Sequence, residues 1–302
     1  MQPLQVESLT KRYGPVTGAE DITFAVGRGE VFGYLGPNGS GKTTTIRFLM
    51  GLLRPTGGRC RILGEPVRVG RATQHQHVGY LPGDFRVWSD LSARRVLALL
   101  AALGDGPSCS SRRDELAERL GLDMDRRMTD LSKGNRQKVG VVGAFQCDAD
   151  VLILDEPTIG LDPLVRQTVL ELIREAAGRG AAVLLSSHDL SEVAAVCGRA
   201  AILRQGRLVE LAAVAKITEQ QQRRLEVWFS GPVACDALAA MPVEAHVLEQ
   251  TPDTLHLAYH GSVDPIVKWL ARYPVERLIT PQTSLEEAFI QYYSPDAAED
   301  AE

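Results

Sequence analysis

The run VFGYLGPNGSGKTTTIRFLM, residues 31 to 50, limits what this chain can fold into more than any other stretch. Near-continuous apolar character over Val31 to Leu35 reads as a buried strand, and the spacing after Lys42 reads as a helix over Thr43 to Leu53. Between them Gly36, Pro37, Asn38, Gly39, Ser40, Gly41, Lys42 and Thr43 spell G-x-x-x-x-G-K-[ST], in the strand, loop, helix setting that the motif requires. Glycines let backbone N–H groups curl around a phosphate chain, and the start of the following helix adds its positive end. Lys42 is expected to reach the β- and γ-phosphates and the Thr43 hydroxyl to hold Mg²⁺, with Thr44 counted among the phosphate-binding residues. The loop by itself says only that a nucleoside triphosphate binds.

The surrounding pattern fits an α/β layered domain. Short β-type runs recur at Leu4 to Val6, Ile22 to Val26, Val78 to Leu81, Val151 to Asp155, Ala182 to Ser186 and Ala200 to Leu203. VLILD and AAVLLSS are apolar almost throughout, as strands covered on both faces are. Helical spacing separates the later ones, over Ala93 to Leu103, Arg112 to Leu120, Arg136 to Gln146, Leu164 to Ala177 and Leu190 to Cys197. RPTGG at Arg54 to Gly58 and Arg204-Gln205-Gly206 mark tight turns.

Composition excludes some classes. In 302 residues, 44% are hydrophobic and 24% charged, an ordinary globular balance. A net charge of −5 argues against nucleic acid as a partner, because phosphate neutralisation needs a basic face. The apolar run Val96 to Leu103 is far short of the ~20 residues that span a bilayer, and MQPLQVESLT lacks the order of a secretory signal. A cytoplasmic chain follows, one that reaches a membrane only through a partner subunit. The five scattered cysteines, without a C-x-x-C pair, are expected to be reduced and buried. HQH at His75 to His77 has metal-like spacing without further ligands nearby.

Three more motifs point at the same strand ends. VLILDEPT delivers Asp155 and Glu156 at the end of an apolar strand, the edge where α/β sheets bind ligands. Asp155 suits the Mg²⁺ shell, and Glu156 can polarise an attacking water as general base. LLSSHD puts His188 at another strand end, where an imidazole can touch the γ-phosphate or fix the water. LSKGNRQK places Ser132 and Gly134 at a helix start, a second anion site. One phosphate loop and one further anion site per chain suggest two chains sharing two nucleotides head to tail.

GPNGSGKT, LSKGN, LILDEPT, GLD (Gly160 to Asp162) and SSHD, in this order and spacing, resemble the ATP-binding subunits of ABC transporters over about residues 1 to 216. The resemblance implies ATP and Mg²⁺ as cofactors and a dimer, homo- or heteromeric, that hydrolyses ATP to drive a separate transmembrane permease. It implies that Tyr13 stacks on adenine and that Ser132 and Gly134 contact the γ-phosphate of the nucleotide on the opposite protomer. Asp162 matches the loop joining the two sites, Glu156 the catalytic base and His188 the switch histidine. The cargo, a small molecule contacted by the permease, is read as an exported drug-like or lipid compound, with the ATPase on the inner face of the membrane. The rival class acts on ribosomes, DNA or protein without transport; such chains typically carry two cassettes or long coiled-coil insertions, and this sequence has neither.

Two departures stand out. LSKGN replaces the common LSGGQ, bringing Lys133 and Asn135. After the strand VGYL the chain reads Pro82-Gly83-Asp84, where the family usually has a glutamine that meets Mg²⁺ or the water. Gly83 is expected to use backbone angles closed to other residues, as a hinge, while Asp84 either supplies oxygen to the metal or caps the turn. A similar LPG-acid variant, and an ending like SLEEAFIQYY (Ser284 to Tyr293), occur in ATPases of export systems with separate permease chains.

The expected layout is an ATPase domain over residues 1–217, with antiparallel β and helical subdomains, the helical one at about 88–135. A small α+β domain of split βαβ (ferredoxin-like) type follows over 224–293, its second strand at Val243 to Leu248, then an acidic tail over 294–302 read as disordered.

Overall fold

The fold is taken from a computed structural model that describes residues 2–71, 76–85, 87, 90–103, 109–219, 223–232, 241, 245–259 and 261–281. Two compact units divide the chain, Met1–Val214 and Ala215–Glu302.

In the first unit β1 (Leu4–Tyr13) and β2 (Val16–Val26) form an antiparallel pair, Tyr13 facing Val16 across the turn. β3 (Val31–Leu35), buried at every position, leads through the glycine-rich loop into α1 (Lys42–Leu49). β4 (Gly57–Ile62) and β5 (Glu65–Pro66) extend the antiparallel edge, and β6 (Val78–Leu81) returns to the centre. The helical α2 (Ala93–Ala102), α3 (Ser110–Arg119) and α4 (Lys133–Phe145) follow. Next come β7 (Val151–Asp155), α5 (Pro163–Gly178), β8 (Ala182–Ser187), α6 (Leu190–Val196), β9 (Arg199–Arg204) and β10 (Arg207–Ala213), and α7 (Val214–Glu219) carries the chain into the second unit. The ten strands lie in the order β5-β4-β1-β2-β10-β9-β3-β8-β7-β6.

Register explains why distant motifs meet. β9, β3, β8, β7 and β6 are parallel neighbours, with Leu35 opposite Ser187, Ser186 opposite Asp155, and Leu154 opposite Leu81. Every one of those strands therefore ends at the same edge, and the segments leaving it are the phosphate loop, Glu156, His188 and the Pro82-Gly83 turn. Phe24 and Phe32 stack beneath that edge with centroids 5.2 Å apart, and the buried Tyr34 donates to Thr45 Oγ1 at 2.9 Å, fastening α1 to β3. Burying aromatic side chains of this size contributes about 1.5–3 kcal/mol each.

In the second unit β11 (Arg223–Phe229), β12 (Ala245–Gln250), β13 (Thr254–Tyr259) and β14 (Val275–Ile279) form an antiparallel sheet ordered β12-β13-β11-β14. α8 (Asp264–Leu270) covers one face, with Ile266, Trp269 and Leu270 packed among Leu225, Val227, Leu255 and Leu257. This is the strand order of a split βαβ unit. The second strand is described over Ala245–Gln250, while Val243, the expected helix over 284–293 and the acidic tail lie outside the described residues.

Several expectations are corrected. Cys109 and Cys147 form a disulfide, bridging the start of α3 to the segment after α4. Their 38-residue separation concealed a proximity that the α3–α4 packing creates. Cys60 and Cys197 are buried free thiols, pushed up to about 12 chiefly by burial, and Cys235 lies outside the described residues. α1 stops at Leu49 because Gly51 takes a left-handed φ of 62°. Gly83 does not use glycine-only angles: it is absent from the positive-φ glycines, and its role is close approach instead.

Candidate active site

The loop between β3 and α1 is held from outside. Gly41 caps α1 with φ 106°, and a Cβ there would sit 2.5 Å from the Gly18 carbonyl oxygen. Gly18, on β2, also lies under the Tyr13 ring and beside Thr44, so the antiparallel edge delivers Tyr13 to the phosphate loop. The turn at Gly206 completes the support, its N–H donating to the Ser40 carbonyl at 2.9 Å while its own carbonyl accepts from Glu20 N. Tyr13 keeps 45% of its surface exposed, with Lys11 Nζ over its ring at 5.2 Å from the centroid.

Within the loop Lys42 is only 6% exposed, and its ammonium donates to the carbonyls of Gly36 and Pro37. The same ammonium stands 3.3 Å from Glu156 Oε1. Glu156 sits at φ 52°, a left-handed angle rare outside glycine, at the first position past β7, where its N–H donates to the Ser186 carbonyl at 3.1 Å. His188 Nδ1 reaches Glu156 Oε2 at 2.6 Å, the imidazole N–H donating to the carboxylate.

Asp155 is 2% exposed and accepts from Ser186 Oγ at 2.9 Å and Thr43 Oγ1 at 3.2 Å. Burial pushes its pKa above the usual carboxylate range, Glu156 adds to that, and the two hydroxyls and Lys42 pull the other way. Gly83 closes over this carboxylate, since a Cβ there would stand 3.2 Å from Asp155 Oδ2. Asp84 follows, exposed.

The donor set suits a small hard cation with phosphate oxygens. Thr43 and Asp155 present adjacent oxygens of the type that Mg²⁺ takes. Ser40 Oγ is buried without a hydrogen-bond partner within the protein, an orphan that a phosphate or its water would satisfy, and Glu156 Oε1 is buried with only the Lys42 ammonium beside it.

On the opposite side Ser132 caps α4, its Oγ accepting from Asn135 N at 3.2 Å, and both Ser132 and Lys133 are exposed. Gly134 rests on the loop before α5, where a Cβ would come 2.8 Å from the Gly160 carbonyl. Asp162 caps α5, accepting from Val165 N at 3.0 Å, and the adjacent Leu164 is 78% exposed. The structure thus brings Tyr13, the phosphate loop, Asp155, Glu156 and His188 together, and sets Ser132, Gly134 and Asp162 on a neighbouring exposed ridge.

A family model for the ABC transporter matches residues 19–159. The Nod factor export ATP-binding protein I of Paraburkholderia xenovorans (strain LB400) is 30% identical over 295 residues, 95% of this chain and 96% of that one. The chain belongs to the ATP-binding subunits of ABC transporters. This ABC subunit is also 32% identical over 210 residues to the probable multidrug ABC transporter ATP-binding protein YbhF of Escherichia coli (strain K12), covering 68% of this chain and 36% of that. Among solved structures, an ATP-binding subunit of an ABC transporter superposes with TM-score 0.68 at 32% identity, over 72% of this chain and 92% of that one. The cassette is thus an ABC-type ATPase that binds nucleotide.

Gln137 has a place in the site that none of the motifs predicts. It is 5% exposed on α4, and its amide donates to the backbone carbonyls of Glu156 (3.2 Å) and Pro157 (3.0 Å), tying the LSKGN helix to the acidic strand end. A polar residue on the apolar face of a helix is the signal that could have found it.

Proposed function

We propose that this subunit dimerises around two Mg-ATP molecules and uses their hydrolysis to drive export of a drug-like or lipid compound through a separate permease. One observation carries the catalytic reading: Glu156, in a left-handed backbone conformation, holds its carboxylate between Lys42 and His188, one oxygen to each. In this reading Glu156 takes a proton from the attacking water, and His188 holds that water and the γ-phosphate in line. Thr43 and Asp155 would hold Mg²⁺, which when bound would offset phosphate charge. Lys42 leaves the Gly36 and Pro37 carbonyls for the phosphate, and Tyr13 stacks on the base.

The dimer reading is supported by the exposed ridge of Ser132, Lys133, Asp162 and Leu164: an anion-binding helix start with an uncovered apolar residue is useful only against a second chain. Each protomer then completes the other's site. Closing that dimer on ATP is a population shift, so ATP must bind the closed form more tightly.

Docking on a permease is supported by a groove of about 570 Å³ between β6 and the helices, lined by Tyr80, Pro82, Phe85, Leu100 and Leu103. Leu103 is 77% exposed. Pro82 and Phe85 flank Gly83, which touches Asp155, so a helix pressed into the groove acts on the turn that covers the metal ligand. Among the described residues no helix is long and apolar enough to cross a membrane, so attachment in this reading is through that groove. Export rather than import rests on the names of the two relatives.

Co-expression with a candidate permease, followed by membrane fractionation, tests the proposal. Recovery of the subunit in the membrane fraction only with the permease, and its loss on Leu103→Glu, is expected. A chain that stays out of the membrane fraction in every case and pellets with ribosomes overturns it in favour of a non-transport ATPase.

A further inference from the structure

Arg166 sits in the first turns of α5, its N–H donating to the Asp162 carbonyl at 2.9 Å, directly after the loop that carries Asp162. Its guanidinium faces two carboxylates on a different segment. Nη1 lies 3.5 Å from Asp189 Oδ2 and Nε lies 3.5 Å from Glu192 Oε1. Glu192 is 5% exposed, and a carboxylate so buried needs compensation. Its second oxygen accepts from Ser187 Oγ at 2.9 Å, and Ser187 Oγ in turn accepts from Asp189 N at 2.9 Å. Ser187 and Asp189 are the residues on either side of His188.

The imidazole that meets Glu156 at 2.6 Å is thus carried on a short span pinned at both ends, and both pins lead to Arg166. The arginine is not needed to hold the two helices together. Further along, Arg174 Nη2 donates to the Ala195 carbonyl at 3.1 Å and ties α5 to α6 independently. Arg166 Nε is also buried without a hydrogen bond of good geometry, so its pairing is by charge and leaves the fork able to shift.

We infer that Arg166 is a positioning residue for His188, transmitting the place of the Asp162 loop to the imidazole through Asp189, Glu192 and Ser187. The inference rests on the reading of His188 given above. It makes the loop on the exposed ridge a determinant of turnover within the same chain: displacement of α5 by a partner protomer moves the guanidinium, and the two carboxylates follow. Lysine, a point charge on one stem, cannot face both carboxylates at once.

The test is a double-mutant cycle on the full-length chain, using Arg166→Gln, His188→Ala and the pair, with Arg174→Gln as control. ATP turnover, KM for ATP and Tm are read for each. Arg166→Gln is expected to lower kcat about tenfold or more with KM for ATP unchanged, the scale on which small misplacements of a reacting group act. In the His188→Ala background the same change is expected to cost almost nothing further, because its effect passes through the imidazole. Arg174→Gln lowers Tm without lowering kcat. Should Arg166→Gln fail to fold, Arg166→Lys replaces it, with a smaller loss of kcat expected. Wild-type turnover in the Arg166 variant, or losses that multiply in the double variant, overturns the inference while leaving His188 in place. Wild-type turnover in His188→Ala overturns the reading of His188 itself, and the inference with it.

Discussion

His188 Nδ1 stands 2.6 Å from Glu156 Oε2, and Lys42 Nζ stands 3.3 Å from the other oxygen of the same carboxylate. Glu156 is therefore held from two sides by groups that, in the proposed reaction, belong on the phosphate. Glu156→Gln keeps the size and the bond to the imidazole but cannot take a proton. Turnover is expected to fall by about 10²–10⁴-fold, the usual contribution of a general base. An ATP-dependent dimer should then persist by light scattering. Phosphate release at the wild-type rate would show that another group is the base.

Asp155 carries a raised pKa, mainly because it is buried. A raised folded-state pKa means that the folded chain holds its proton to higher pH than the unfolded chain does. Stability from this group is thus fully present below the unfolded pKa and is lost as pH rises through the folded one. Asp155→Asn, which never ionises, is expected to raise Tm at neutral pH, by about 2–4 °C for each kcal/mol of ionisation cost removed. The gap from wild type should close as pH falls below the carboxylate range. The same variant should lose Mg²⁺-dependent turnover, and a wild-type response to Mg²⁺ would reject Asp155 as a ligand.

Gln137 gives two hydrogen bonds to the backbone beneath Glu156. Gln137→Leu leaves two carbonyls short of a donor in a buried place, at about 1–3 kcal/mol for each group left unsatisfied. Chemical denaturation should register that loss, and kcat should fall more than KM rises. A variant with full stability and full turnover would mean that the amide is a bystander.

In the proposed reading Tyr13 stacks on the base, and Lys11 Nζ lies over its ring at 5.2 Å from the centroid. Tyr13→Ala is expected to raise KM for ATP with kcat little changed, and Tyr13→Trp to restore it, since stacking needs only a π-face. GTP should be affected in parallel. A KM that ignores the substitution would place the base elsewhere.

Much of this was readable in advance because the chemistry depends on contiguous residues. VFGYL followed by GPNGSGKT, and VLILD followed by Glu156, carry strand, loop and function in one run, and the parallel register then sends each run to one edge. What could not be read are contacts made across the sequence. Gly18 looks like any strand glycine until its carbonyl meets Gly41, and Gly206 reads only as a hairpin turn until it braces Ser40. β4, with Arg59 and Arg61 alternating around Cys60, has too little apolar character to register as a strand; its pairing with β1 supplies what the side chains do not. The Cys109–Cys147 link depends likewise on helix packing. At Gly83 a hinge is expected and a close approach is found, since freedom of φ is visible in a residue type and proximity to Asp155 is not.

That proximity also bears on the history open to such a chain. With a Cβ at position 83 already 3.2 Å from one Asp155 oxygen and 3.3 Å from its Cγ, a larger residue there requires the Asp155 side chain or the turn to give by a few tenths of an ångström. Positions 83 and 155 are therefore not independent: an evolutionary exchange of this glycine is also a small relocation of the carboxylate beneath it.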